Sequence, residues 1–343
     1  MRIDAVKAAL PSRKLSNEDI LQIVRESSEA TYDGDLDAAI KRIESWLTYS
    51  GAQTRYTLEE NETPLSVLTG AIDAALEEAK CTKDDIDTLV YVGVGRGFIE
   101  PAGAYLVAHA LGFKNAHCFD VLDACNSWSR GAQIIYHFLQ SGSSKRAMIV
   151  NAEFSVTGNR LGNFALRHEE ELNWTFPTYT IGEAATATIL SADPTNEWKF
   201  KFRSRPDLAD LCTIPVNGFQ GYCNQTERIG KNGNRFTSYG YELFEAAGPE
   251  LIKVFQDLNP PLDKLRAIFP HAASQKAGDD LADMFSLRHL VSNVYPRCGN
   301  LVSCSVPAAM AFAIEEQRVA RGDLLAAVVA SAGMSFSAYS FIY

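Results

Sequence analysis

Three short blocks of this chain recur in order and at nearly constant spacing. The run LVYVGVG at Leu89 has a counterpart in AIFPHAA at Ala267, DACNSW around Cys125 is echoed by VSCSVPAA around Cys304, and MIVNAEF at Met148 is matched by AVVASAG at Ala327. The separations hold at about 178 residues, which marks an internal duplication. Such a chain is expected to fold as two similar halves, here 1–195 and 196–343, with Cys125 aligned on Cys304. If the halves pack about a pseudo-twofold axis, equivalent strand ends converge on one cleft.

Within each half, strand-like and helix-like stretches alternate. Residues 18 to 30 and 64 to 80 have helical periodicity, with Pro64 suited to a first helical turn, and Asp87 to Gly95 is a β-rich run ending in glycines. A helix is expected over Ala102 to Leu111, a strand over 119 to 124, a helix over 126 to 140 and a buried strand over Ala147 to Phe154. This alternation is the pattern of a layered α/β fold.

The stretch FDVLDACNSW, Phe119 to Trp128, places Cys125 where a buried strand turns into an amphipathic helix. A helix N-terminus offers unpaired N–H groups and partial positive charge, which favours a nucleophilic thiolate. The structural alternative is a small buried hydrophobe, because free cysteines are among the most buried residues. His271, after Phe269-Pro270, and Asn300, after Gly299, read in isolation as a strand-end histidine and a turn residue. Taken together, in order, with a cysteine at a strand-to-helix junction and an internal repeat, they read as a catalytic set.

The motifs DACNSW, FPHAASQK and CGNLVSCSVPAAM resemble the Cys, His and Asn motifs of the thiolase superfamily, in particular the β-ketoacyl-acyl-carrier-protein synthase III type. The likeness runs from Leu10-Pro11 through Ser50-Gly51 and Arg55 to YGYELF and the final SAGMSFSAYSF. It implies an α/β thiolase fold, five-layered αβαβα with two duplicated halves, in a homodimer. It also implies that Cys125 attacks an acyl thioester and holds the acyl group covalently. The backbone N–H groups of Cys125 and Ala332 would form the oxyanion hole, and His271 Nε2 and the Asn300 amide would donate to the thioester oxygen of the extender. Coenzyme A or acyl-carrier-protein thioesters are then substrates, with no permanently bound cofactor.

Departures from the family pattern point to a specialised member acting in lipid or secondary metabolism. Ala272-Ala273-Ser274 follows the histidine where the malonyl-elongating synthases carry Gln-Ala-Asn, and the coenzyme A clamp is altered, with Tyr49 before Ser50-Gly51 and Trp46 displaced. The run RGFIEP, Arg96 to Pro101, is similar to the loop of enzymes that join two acyl thioesters head to head. By that likeness Glu100 is a base reaching the partner subunit's site; its structural alternative is a charge at the N-terminus of the helix after Pro101. Trp46, Arg55, Lys276, Phe164 and Trp174 are the expected substrate-binding residues. By the same likeness Lys276 would face a carrier protein, and Phe164, Leu166, Trp174 and Phe176, from the irregular segment 159–179, would wall an acyl tunnel.

Composition narrows the alternatives. A formal net charge of −10 argues against a nucleic-acid partner, and seven cysteines without metal-like pair spacing fit a reduced, cytoplasmic protein without a metal site. The N-terminus lacks the apolar core of a signal peptide. Leu324 to Tyr343 is uncharged, yet its serines and Gly333 suit two core strands joined by a turn better than a membrane span. Lys199, Lys201, Arg203 and Arg205 read as a solvated strand face. In GVGRG, Phe98 stands where a dinucleotide fingerprint needs its third glycine. Claisen-type condensation with a malonyl or second acyl thioester is the favoured reaction. Acyl transfer from Cys125 to a hydroxyl or amine, and a non-catalytic partner subunit of another ketosynthase, are the alternatives.

Overall fold

Val90 and Val92 enter one core while Leu89 and Tyr91 enter another, and Ala147 and Ile149 part from Met148 and Val150 in the same way. A strand buried on both faces divides its side chains so, and its sequence becomes a continuous apolar run. The computed structural model describes residues 1–154 and 164–343. In chain order its strands are β1 (Arg2–Ala9), β2 (Arg13–Ser16), β3 (Thr54–Thr57), β4 (Thr88–Val92), β5 (His117–Val121), β6 (Arg146–Glu153) and β7 (Ala184–Ser191). They continue with β8 (Lys199–Ser204), β9 (Cys212–Thr213), β10 (Thr237–Ser238), β11 (Leu265–Pro270), β12 (Leu324–Ser331) and β13 (Ser335–Ile342). The helices are α1 (Asn17–Ser28), α2 (Leu36–Ser50), α3 (Pro64–Ala79), α4 (Gly103–Leu111), α5 (Ser127–Ser141), α6 (Leu172–Thr175), α7 (Gly240–Leu258), α8 (Gln275–Asp283), α9 (Tyr295–Cys298) and α10 (Ser305–Glu315).

Two sheets repeat one plan. The first runs β1-β7-β6-β4-β5 and the second β8-β13-β12-β11. In each, the first three strands are antiparallel neighbours and the next pair, β6 with β4 or β12 with β11, is parallel. Helices α5 and α10 lie between the sheets, where Trp128, Ala132, Ile135, Ala308 and Ala309 pack against Val90, Ile149, Phe269 and Tyr339 in one core. Outside the first sheet, α3 and α4 cover Leu89, Met148 and Val150; outside the second, α7 covers Phe336 and Ala338. The order is the five-layered αβαβα thiolase arrangement that the family resemblance implied.

The duplication is more regular than the sequence blocks suggest, and it corrects one pairing. A 3-10 turn, Ala124–Asn126, leads into α5 at Ser127, and a matching turn, Val302–Cys304, leads into α10 at Ser305. Each begins on a residue with positive φ, 45° at Ala124 and 52° at Val302. In this register the counterpart of Cys125 is Ser303, not Cys304. The neighbouring thiol drew the sequence alignment one residue out of step.

The uncharged C-terminal stretch forms the antiparallel pair β12–β13, turned at Gly333 with φ 118°. Among the described residues no helix is long and apolar enough to cross a membrane. In the basic cluster on β8, Arg203 pairs with Glu250 at 3.0 Å and Arg205 with Asp207, while Lys199 and Lys201 face solvent.

Candidate active site

The turn that carries Cys125 is held by the last hairpin. Asn126 N donates to Ser331 Oγ at 3.2 Å, and Ser331 Oγ donates to Asp123 O at 3.0 Å. Ser335 Oγ reaches Asp123 Oδ1 at 3.1 Å, and Ser337 Oγ donates to Asn126 Oδ1 at 2.7 Å. Ser331, Ser335 and Ser337, among the serines that argued against a membrane span, therefore clamp the turn that carries Cys125. Ala332, at the hairpin tip, has no positive φ; the left-handed residue is Gly333, so alanine fits at 332 without backbone strain.

His271 follows β11, where its N–H donates to Val328 O at 2.9 Å and extends the parallel pairing with β12. Its Nδ1 lies 3.1 Å from Ser305 Oγ, and Ser305 Oγ donates to Val302 O at 2.9 Å. Asn300 is fixed by its backbone, with N donating to Thr180 O at 2.8 Å and O accepting from Gly182 N at 3.1 Å. Its Oδ1 accepts from Val302 N at 2.9 Å, which leaves the amide NH₂ as the free end. Gly299 makes this approach possible: φ is 70°, and a Cβ there would lie 2.3 Å from Thr180 O. Cys125, His271, Asn300 and Ala332 open on one cavity of about 1340 Å³.

Burial governs the site's electrostatics. It pushes the Cys125 thiol well above its ordinary range, outweighing the thiol's hydrogen bonds with its own backbone and Ser331. A thiolate favoured by the helix N-terminus, expected from sequence, is thus overridden by desolvation. Cys212 lines the same cavity, and burial pushes its thiol up to about 11. His271 is pulled down to about 4 by burial, against a hydrogen bond with the Val302 backbone, so it is neutral near pH 7.

The other expected residues divide. Trp46 lines the cavity between the Arg42 guanidinium, 4.5 Å from its ring centroid, and the edge of Phe176, 5.1 Å away. Trp174 and Phe176 also line it, with Lys231 5.4 Å from the Trp174 ring. Phe164 and Leu166 do not: both belong to the core around Ile20 and Ile43, where Phe164 stacks on Tyr179 at 5.9 Å. Arg55 is not a surface clamp either. It is buried, donates to Tyr179 O at 2.7 and 3.0 Å and to Asn17 Oδ1 at 2.8 Å, and so braces the segment that meets Asn300. Lys276 lies exposed on α8, paired with Asp280 and outside the cavity wall. Residues 159–163 of the expected tunnel segment lie outside the described residues.

Glu100 is exposed and outside the cavity wall of its own chain. It does not cap the following helix: Asp120 does, accepting from Gly103 N at 2.7 Å and Ala104 N at 2.9 Å. The loop leading to Glu100 is anchored by Glu153, a residue the sequence reading passed over. Its buried carboxylate accepts from Gly95 N at 2.8 Å, Val94 N at 3.2 Å and Ser303 Oγ. The lone acid in MIVNAEF, at the end of a buried strand, was the available signal. Among the described residues no group of side chains is arranged to hold a metal ion.

Comparison with known proteins agrees with this architecture. Residues 256–342 match the family described as 3-oxoacyl-[acyl-carrier-protein] synthase III C terminal. The chain is 26% identical over 349 residues to a β-ketoacyl-[acyl-carrier-protein] synthase III from Bartonella bacilliformis, covering 97% of this chain and 96% of the relative. It is 25% identical over 311 residues to the enzyme of that name from Fusobacterium nucleatum, covering 88% and 91%. A structure of Xanthomonas campestris OleA with bound lauric acid and lauroyl-CoA superposes with a TM-score of 0.82 at 19% identity, over 99% of this chain and 98% of that one. The 3-oxoacyl-[acyl-carrier-protein] synthase III of Aquifex aeolicus superposes with 0.80 at 21% identity, over 100% and 99%. The chain is thus similar over nearly its whole length to β-ketoacyl-acyl-carrier-protein synthase III enzymes and shares their fold.

Proposed function

We propose that this protein is an acyltransferase that loads an acyl group on Cys125 and joins it, by Claisen-type condensation, to a malonyl or second acyl thioester. The observation that carries the reading is the opening of Cys125, His271 and Asn300 on a single cavity with a largely apolar wall. Cys125 Sγ attacks the thioester carbonyl, with the backbone N–H groups of Cys125 and Ala332 as oxyanion donors. In the second step the Asn300 amide, with His271 beside it, binds the extender's thioester oxygen as the enolate forms.

The cavity, at about 1340 Å³, exceeds the roughly 300–1,000 Å³ usual for small-molecule sites. Leu243, Leu251, Phe255, Leu281 and Phe285 give it a long apolar wall. A long acyl chain beside a pantetheine arm, or two acyl chains, suits that space. The OleA structure with bound lauric acid and lauroyl-CoA supports the same substrate class. Coenzyme A thioesters fit the mouth at Trp46, Arg42 and Trp174, and Lys276 offers a contact to an acidic carrier protein. A specialised lipid pathway in the cytoplasm is the setting that this reading implies.

The working unit in this reading is a homodimer of chains with halves 1–195 and 196–343. Exposed Phe98, Ile99, Tyr105 and Leu122, near the outer edge of β5, support burial against a second copy. Glu100 then crosses to the partner's cavity as a base for condensation without loss of carbon dioxide.

Intact-protein mass after mixing wild type and Cys125→Ala with a panel of acyl-coenzyme A thioesters tests the reading, followed by malonyl-coenzyme A or a second acyl-coenzyme A. An acyl adduct on wild type alone, discharged with release of a β-keto product, is expected. An adduct discharged only by an alcohol or amine replaces condensation with simple acyl transfer. No adduct from coenzyme A or carrier-protein donors leaves a non-catalytic partner subunit.

A further inference from the structure

Helices α7 and α8 each turn one face into the cavity. From α7 the lining includes Gly248, Leu251 and Phe255, and from α8 and the turn that continues it, Gly278, Leu281 and Phe285. Both sets follow i, i+3, i+7, so each lies on a single helical face. Leu251, Phe255, Leu281 and Phe285 are only partly buried, since they border open space. α8 begins just after His271, which puts the near end of this groove beside the site.

The near end is wide and the far end closed. A Cβ built on Gly248 or Gly278 meets no other atom within 4 Å among the described residues, and neither glycine has a positive φ. Gly248 precedes Pro249, whose ring crowds the residue before it, so glycine has a backbone reason there. Gly278 has none. A glycine inside a helix destabilises it relative to alanine, and at 278 neither a turn nor a close-packed neighbour among the described residues compensates. At the far end the Phe255 and Phe285 rings meet edge to face, centroids 6.0 Å apart at 62°, on the core of Leu265, Ile268 and Leu287.

We infer that the groove between α7 and α8 holds the hydrocarbon chain of a fatty acyl thioester, with Gly278 admitting the chain and the Phe255–Phe285 pair stopping it. On either side, glycine and phenylalanine are seven residues apart, a helical rise of about 10 Å with room for about eight methylenes. The inference deepens the acyl-thioester reading above and rests on it for the thioester, while the groove itself is tested without chemistry.

Saturated fatty acids from butanoic to tetradecanoic acid, titrated calorimetrically into Cys125→Ala, are the probe, so neither acylation nor coenzyme A recognition enters. Affinity is expected to climb by about 4-fold or less per methylene and to level off at the chain that reaches the aromatic pair. In the same background, Gly278→Leu is expected to lower the ratio of dodecanoic to hexanoic acid affinity by about 10-fold or more, and Phe285→Ala to let affinity climb over further methylenes. A length profile that both variants leave in place overturns the inference, as does affinity that does not depend on length. If Phe285→Ala does not fold, Gly278→Leu, which puts a better helix former at a half-buried position, decides alone. Acyl-coenzyme A panels with wild type and Gly278→Leu then assign the chain. A shifted length profile in the loading of Cys125 places the chain held there in the groove, and a shift confined to the condensation step places the second thioester's chain there. No shift in either step, with turnover intact, overturns the inference. Shifted fatty-acid profiles without any acyl adduct count against the acyltransferase reading and leave the groove standing.

Discussion

Ser303 donates its hydroxyl to the buried carboxylate of Glu153, and Ser303 occupies in the second half the place that Cys125 occupies in the first. One half thus opens a cysteine on the cavity at this turn, while the other uses the position to tie the halves together. Asn151 Nδ2, bonded to Ser303 Oγ at 2.9 Å, completes the knot.

Glu153→Ala leaves two backbone N–H groups and a hydroxyl without an acceptor in a buried place. The expected cost is about 3 kcal/mol or more, since each abandoned buried donor carries its own desolvation penalty. Urea denaturation of Glu153→Ala beside wild type measures it. A change below about 1 kcal/mol contradicts the anchoring role.

Gly299→Ala tests the mounting of Asn300. Its Cβ would meet Thr180 O at 2.3 Å, in a backbone region (φ 70°, ψ −162°) open essentially to glycine alone. Condensation is expected to fall about 100-fold through displacement of the Asn300 amide. Acylation of Cys125, which does not use that amide, should persist in the mass assay.

Arg55 separates a structural from a substrate-binding role. Arg55→Met removes three hydrogen bonds around Tyr179 and Asn17. A loss of about 2–4 kcal/mol in folding stability is expected, because the Tyr179 carbonyl loses its donors in a buried place. The KM for an acyl-coenzyme A should barely move. A large rise in KM at unchanged stability would return Arg55 to the substrate.

His271 gives the protein a defined acid sensitivity. Its pKa is about 4 in the fold and about 6.5 in the unfolded chain, so between these values the unfolded state binds the extra proton and stability rises with pH. The wild type is therefore expected to lose about 2 kcal/mol from this group between pH 7 and pH 5, a loss that levels off below about pH 4. Denaturation of wild type and His271→Asn at both pH values isolates the term, since the asparagine variant cannot show it.

Much of the molecule was legible in the chain itself. Periodicity and punctuation sufficed for local elements: the helix from Pro64, the strands at Leu89 and Met148 and the paired strands after Leu324 are set by side-chain period and by glycines that only a turn accepts. The duplicated blocks carried the two-sheet plan, and Cys125, His271 and Asn300 stood out only as an ordered set resembling the motifs of a known family, since each read alone is unremarkable. What the linear order could not decide was which polar groups meet. Arg55 and Phe164 look like ligand-facing residues until packing turns one onto the Tyr179 carbonyl and the other against the Tyr179 ring. The raised Cys125 thiol and the neutral His271 exist only because the halves close over them. Desolvation and hydrogen-bond partnership are properties of the enclosed site, and residues far apart in the chain supply them.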